Sequence, residues 1–399
     1  MLNQRMVGLG TQRSVIRELF EFGKIRAAEV GAENIFDFSI GNPSVAAPDC
    51  VNETAMRLIK EMDPVVLHGY TSAQGDAGVR ALISDSLNKR FDMNLRPENL
   101  YITVGAAAAL CCCLNGICTP GAGDEVVVFA PYFPEYKVFI EGAGAKMTLI
   151  PADIEAFQIN FEAFEAALNE HTMAVIVNSP NNPCGAVYSE ETTKKLASVL
   201  EAASAKFGHP IYLISDEPYR EIVFDGKKQP YVSKFYANTI ACYSFSKALS
   251  LPGERIGYLA VNPACPDAAT IVNMCGQISR GIGHNCPTSL MQLAVAEVLD
   301  ETCDFSIYEK NRDLLYDCLT DIGFEVVKPE GTFYIFPKAL EEDATAFCQK
   351  ALEYDLVLVP AEGFGCPGYF RMAYCVETEK VERALPVLRK FVKEVYGNG

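Results

Sequence analysis

TIACYSFSKALSLPGERIGYLA, residues 239–260, begins as an apolar, β-rich run and turns polar within a few residues. Thr239 to Ser244 suit a buried strand, yet Ser246 and Lys247 follow at once, and Arg255 comes eight residues after the lysine. A lysine at the end of a buried strand should snorkel to water or be paired. Its position therefore asks for a chemical reason.

Four further runs resemble the first half of this stretch: NLYITV (99–104), EVVVFA (125–130), MAVIVN (173–178) and IYLISD (211–216). Near-continuous apolarity over four to six residues is what strands covered on both faces require. Helical spacing of apolar residues falls between and after them, over 190–205 and 289–299, and TPGAGDE supplies a turn before the second run. The expected fold is α/β, a mostly parallel central sheet flanked by helices. From 286 onward a smaller α+β region is expected, with a helix through NRDLLYDCL, strands around GFEVV and TFYIFP, then LVLVP, YFRMAYC and a final helix. The expected division is an N-terminal arm over 1–48, packing on the small domain and a dimer partner, a large domain over 49–285 and a small domain over 286–399.

In an open parallel sheet the ligand crevice lies beyond the carboxyl ends of the strands. Those ends read, in order, Gly105 followed by alanines, PYFPEY, NSPNNPCG, DEPY and SFSK. Each ending has a structural reading of its own. Gly105 and the alanines suit close helix packing, Asn182 a turn, Asp216 a helix cap, and Tyr132 and Phe133 a core. Taken together they assemble a site. A small-residue turn opening a helix offers free N–H groups to a phosphate. A lysine that can lose its proton forms a Schiff base with an aldehyde. An acid opposite it keeps a pyridine nitrogen protonated, at roughly 3 Å and an effective dielectric of about 20 by an attraction on the order of 5 kcal/mol before desolvation. Lys247 and Asp216 thus describe a site for pyridoxal 5′-phosphate, with Ser244, Ser246 and Arg255 around its phosphate.

Composition narrows the alternatives. Hydrophobic residues make up 49% and charged residues 21% of 399, a globular composition, and the net charge of −17 disfavours nucleic acid and anionic membrane surfaces. Fifteen cysteines, scattered and odd in number, read as reduced thiols; none of the four histidines pairs with cysteines at metal-ligand spacing, so no metal is expected. The N-terminus lacks a signal-like apolar run and no stretch of 18 apolar residues occurs, so a cytoplasmic protein is expected.

With these residues in hand, nearly the whole chain resembles the fold-type I pyridoxal-phosphate enzymes, and among them the class I/II aminotransferases related to aspartate aminotransferase. The resemblance runs through IGNP (40–43), GYTSAQGDAGVRALI (69–83), TVGAAAAL (103–110), FAPYFPEY (129–136), NSPNNPCG (178–185), SDEPY (215–219), SFSKALSLPGERIGY (244–258), GTFYIF (331–336) and GYFRMAY (368–374). It implies that Lys247 carries the cofactor and moves the substrate α-proton. Asp216 would pair with the pyridine nitrogen, Asn182 and Tyr219 would bond the ring hydroxyl oxygen, and Phe133 would stack on the ring. Gly105 with the amides of Ala106 and Ala107, and Ser244, Ser246 and Arg255, would hold the phosphate. Arg371 would grip the substrate α-carboxylate beside the amide of Gly41 and Asn182, and Tyr70 would reach the phosphate of the partner subunit in a homodimer. Arg280, at an offset seen in some aspartate-specific relatives, is a candidate for a distal carboxylate, with a surface or interface arginine as the other reading. Many relatives carry a side-chain donor where this chain has Ala107 and a tryptophan where it has Phe133, which leaves the subfamily open.

The expected reaction is a ping-pong transfer of an amino group between an L-amino acid and a 2-oxo acid, with aspartate or glutamate as a candidate donor. A C–S β-lyase of the same fold shares nearly every residue above and is the alternative. A DNA-binding regulator on this fold finds no room in the short N-terminal segment and is opposed by the acidic charge.

Overall fold

The computed structural model describes residue 2 and residues 4–11 and 15–397; the remaining residues of the expected N-terminal arm lie outside them. Among the described residues, twelve strands follow in chain order: β1 (Phe36–Asp37), β2 (Leu100–Thr103), β3 (Glu125–Phe129), β4 (Lys146–Ile150), β5 (Thr172–Asn178), β6 (Tyr212–Asp216), β7 (Thr239–Ser244), β8 (Gly257–Val261), β9 (Tyr334–Ile335), β10 (Leu356–Val357), β11 (Val359–Pro360) and β12 (Phe370–Ala373). Seven of them form one sheet in the order β2-β8-β7-β6-β5-β3-β4.

All five expected strands of this sheet are present, and every residue of β2, β7 and β8 is buried. Helices cover both faces, which is why these runs are apolar throughout. The sheet is parallel except at β8, which runs antiparallel to both β2 and β7. Two strands were not expected from sequence. β8 is an apolar run that continues directly from the polar stretch after Lys247. β4 is KMTLI at the sheet edge, pairing only with β3 and partly exposed, so it lacks the apolar continuity of a central strand.

The C-terminal third departs from expectation at two segments. LVLVP is split between β10 and β11, which lie in different sheets. GFEVV carries no strand; its residues run irregularly, and Lys338 N donates to Glu325 O at 2.9 Å as an isolated backbone bond. β11, β12 and β9 form an antiparallel three-stranded sheet, and β1 pairs in parallel with β10. The helices Ser306–Asp321 and Thr378–Tyr396 pack with these strands around an apolar core that includes Phe36, Phe38, Leu315, Phe347, Met372 and Phe391. Tyr219 and Tyr334 belong to that same core, so it extends to the strand ends of the large sheet.

Candidate active site

Parallel strands deliver their C-terminal residues to one edge, and here that edge opens into a crevice of about 290 Å³. Twelve of the residues singled out from sequence line it: Gly41, Ala106, Ala107, Phe133, Asn182, Asp216, Tyr219, Ser244, Ser246, Lys247, Arg255 and Arg371.

Asp216 ends β6 and is buried, with register partners Asn178 on β5 and Cys242 on β7. Tyr136 donates its hydroxyl to Asp216 Oδ2 at 2.5 Å, while Oδ1 is buried with no partner among the described residues. Burial pushes this carboxyl up to about 7; the Tyr136 bond pulls it down and nearby Glu217 pushes it further up. An unpartnered oxygen on a buried acid is costly unless something cationic meets it.

Lys247 lies in the short helix Phe245–Ala248 directly after β7 and donates from Nζ to Gly41 O at 2.9 Å. Desolvation lowers its amine to about 8, with Cys375 opposing and the positive charges of Arg255 and Arg371 adding to the fall. A substantial neutral fraction near neutral pH is what a nucleophilic lysine needs.

A third group of residues suits an anion. Gly105 caps helix Ala106–Ile117 at φ +89° and ψ 174°, a conformation open only to glycine, and no side chain caps the helix's first N–H groups. A Cβ at Gly105 would also stand 2.7 Å from Arg255 Nη2. Ser244 and Ser246 hydroxyls lie 2.6 Å apart, and Arg255 bonds the carbonyls of Pro252 and Val104 at 2.9 and 3.3 Å. Hydroxyls, free amides and a guanidinium together form a cradle for a phosphate dianion.

Arg371, on β12, is buried, and burial lowers its guanidinium from the usual arginine value. Nη1 donates to Asn182 Oδ1 at 3.1 Å and Nη2 to Ser39 O at 2.5 Å, while Nε has no partner. The fork is held on one side and free on another, as a carboxylate receptor should be.

Two sequence candidates lie elsewhere. Tyr70 is 99% exposed, outside the crevice. Arg280 sits exposed in the last turn of helix Ala268–Gly281, also outside it. Three residues were missed. Tyr136 lies within PYFPEY at the start of helix Glu135–Gly142, and no local pattern separates it from a core tyrosine. Asn178 ends β5, bonds Asp216 O through Nδ2 at 2.9 Å and accepts from Asn182 N at 2.8 Å; a polar residue closing an apolar run marked it. Tyr334, in GTFYIF, lines the crevice, and no local pattern separates it from a core tyrosine.

A strand-end crevice that joins a depressed lysine, a buried half-paired acid and a phosphate cradle defines a pyridoxal-phosphate enzyme of the aspartate aminotransferase fold. The comparisons narrow this further. Residues 33–388 match the model of the aminotransferase class I and II family, and the chain belongs to that family. It is 31% identical to a probable aspartate aminotransferase of Methanocaldococcus jannaschii, over 94% of this chain and 96% of the relative. It is 30% identical to a probable aspartate/prephenate aminotransferase of Aquifex aeolicus, over 93% and 94%. Among solved structures, an amino transferase of Eubacterium rectale superposes with a TM-score of 0.96 at 52% identity, covering 99% of both chains. The aspartate aminotransferase of Thermus thermophilus with maleate superposes with a TM-score of 0.85 at 25% identity, covering 98% of this chain and 99% of that one.

The protein is thus an enzyme of pyridoxal-phosphate-dependent transamination. Its own atoms fit that group: Asp216 Oδ1 is buried and open to a cationic partner, the Gly105 turn and serine pair suit a phosphate, and burial lowers the Lys247 amine to about 8.

Proposed function

We propose that the chain works as a cytoplasmic homodimer whose amino donor is aspartate or glutamate, with two half-reactions alternating on one site. The observation that carries this reading is the convergence of Lys247, Asp216 and Arg371 in one crevice, each with an unused or depressed polar group. The donor follows from the relatives, named for aspartate in Methanocaldococcus jannaschii and Thermus thermophilus.

When bound, pyridoxal phosphate supplies an electron sink for the pair left as the substrate loses its α-proton. The residues provide the rest. Arg371 takes the α-carboxylate beside Gly41 and Asn182. Lys247 would move the proton at the substrate α-carbon. Asp216 would keep the ring nitrogen cationic, Tyr219 and Asn182 would bond the ring oxygen, and Phe133 would pack on the ring. Gly105, Ala106, Ala107, Ser244, Ser246 and Arg255 would hold the phosphate. Arg280 lies outside this crevice, so the reading of a surface or interface arginine stands beside that of a distal-carboxylate partner.

Tyr70 completes the phosphate site of the partner subunit. Its full exposure, near the exposed Val65 and Val66, supports an apolar face covered by a second copy. Fifteen cysteines, with those in the described residues free, suit a reducing compartment. We also divide the chain into the arm 1–48, the large domain 49–285 and the small domain 286–399, a division that the separate sheets support.

A panel of amino donors and 2-oxo acids, followed through the cofactor's absorbance in single half-reactions, tests the reading. Aspartate or glutamate should convert the cofactor and a 2-oxo acid restore it. Pyruvate and ammonia released from cystathionine without an added oxo acid would instead assign a lyase. Borohydride reduction should fix the cofactor to Lys247, located by peptide mapping.

A further inference from the structure

Tyr334 carries no role in the account above, yet it touches both halves of the site. It is buried on β9, where its register partner on β12 is Ala373. Arg371 stands two residues from Ala373 on the same face, which makes Arg371 the diagonal neighbour of Tyr334. The Arg371 guanidinium accordingly lies 4.6 Å from the centre of the Tyr334 ring. At its other end the Tyr334 hydroxyl lies 3.0 Å from the Tyr219 hydroxyl. Gly41 makes room for it: a Cβ at Gly41 would fall 1.8 Å from Tyr334 Oη.

We propose that Tyr334 is a positioning residue that ties the carboxylate-gripping Arg371 to Tyr219, its ring orienting the guanidinium and its hydroxyl donating to the Tyr219 oxygen. The inference rests on the cofactor reading given above.

The ring and the hydroxyl make separable contributions. A guanidinium over an aromatic face is attracted to it and restricted in orientation. Nη1 and Nη2 are engaged with Asn182 and Ser39, and the rings of Tyr334 and Phe364, 4.6 and 5.0 Å away, confine the guanidinium between them, with Nε buried and unpartnered among the described residues. The hydroxyl acts differently. A tyrosine oxygen that accepts a hydrogen bond becomes a better donor through its own proton. Either hydroxyl can donate across this pair; with the Tyr219 proton turned to the cofactor's ring oxygen, Tyr334 would be the donor and Tyr219 would give the stronger bond. Burial keeps both phenols neutral, Tyr334 at about 12 and Tyr219 well above the usual value, so each retains a proton to give. The charged and titratable groups that face the pair include Arg371, Cys375 and, against Tyr219, Tyr136, with Lys247 Nζ 5.9 Å from the Tyr219 ring.

Tyr334→Phe and Tyr334→Leu separate the two. The first readout is the pH titration of the bound cofactor's absorbance in the holoenzyme; the second is KM for amino donor and oxo acid. In the Phe variant a weaker Tyr219 bond favours the protonated ring oxygen, so the titration midpoint should rise by about half a unit to one unit, with KM changed less than about twofold. The Leu variant should show the same rise together with a KM increase of about tenfold for both substrates. Thermal melting of each holoenzyme reports general damage, which would move melting without moving the midpoint. A wild-type midpoint in the Phe variant, or equal KM values in the Phe and Leu variants, overturns the inference. A wild-type protein that takes up no cofactor overturns the underlying reading instead.

Discussion

The Tyr136 hydroxyl donates to one oxygen of Asp216 at 2.5 Å and leaves the other buried and unpartnered. The acid is thereby held in one orientation, with its free oxygen available for a cation. Tyr136 also lowers the Asp216 pKa against the larger effect of burial.

Tyr136→Phe should therefore weaken the site without emptying it. With the bond gone, Asp216 holds its proton to higher pH and meets the ring nitrogen less often as a carboxylate. Losing a hydrogen bond to a charged group predicts a fall of about five- to tenfold or more in pyridoxal-phosphate affinity. Equilibrium dialysis of the apoprotein measures it, and an affinity within twofold of wild type would leave Tyr136 with only a packing role.

Asp216→Asn separates stability from function. In the folded protein the carboxyl keeps its proton to about 7, against an ordinary value of 3.8. Between those pH values the folded apoprotein binds more protons than the unfolded chain, so its stability falls as pH rises through the window. Asparagine cannot ionise and escapes that loss. The Asn apoprotein should be more stable than wild type at pH 8, by on the order of a few kcal/mol, with the difference closing toward pH 4. Turnover should move the other way and fall at least about a hundredfold, because the cationic ring nitrogen loses its partner. Urea titrations across pH give the first result and single half-reactions the second; a stability difference independent of pH would contradict the buried-acid account.

Lys247 predicts the pH dependence of cofactor uptake. Only the neutral amine attacks the aldehyde, and burial brings its pKa to about 8. The apoprotein's rate of uptake should rise about tenfold between pH 7 and pH 9 and then level off. Stopped-flow absorbance would follow it, with Lys247→Ala as the control that forms no borohydride-stable bond. A profile still climbing toward the ordinary lysine value of 10.5 would show that the amine is solvated.

Behind the site, Arg220 makes a prediction about folding. It is buried between Glu217 at 3.3 Å and Glu221 at 3.1 Å, donates to the Tyr258 hydroxyl at 3.2 Å, and lies 4.1 Å from the centre of the Tyr243 ring. Arg220→Met would leave two buried carboxylates facing each other. The expected loss is about 3–5 kcal/mol of stability, read by chemical denaturation. A loss under about 1 kcal/mol would mean that water or Arg90, which also pairs with Glu221 at 2.9 Å, takes over the charge.

Much of the site was legible because its chemistry is written at strand ends. The side chains after β5, β6 and β7 stand next to one another whenever those strands are parallel neighbours, so NSPNNPCG, DEPY and SFSK could be read together. Tyr136 and Tyr334 were not legible as site residues: both look like ordinary core tyrosines until the fold shows what their hydroxyls meet. Arg280 and Tyr70 could be named from motif position, but a single chain leaves both outside its own crevice.

What the sequence determined alone is local: apolar runs long enough for covered strands, a glycine where the backbone must turn to φ +89°, and a lysine too close to a buried strand to be indifferent. What only the tertiary structure decided is register and distance. It inserted β8 antiparallel between β2 and β7, set Asn178 opposite Asp216, and brought Lys247 to the carbonyl of Gly41 across 206 residues of chain. Periodicity reports which face of an element is buried; which partner that face meets depends on contacts far apart in sequence, formed only when the whole core closes.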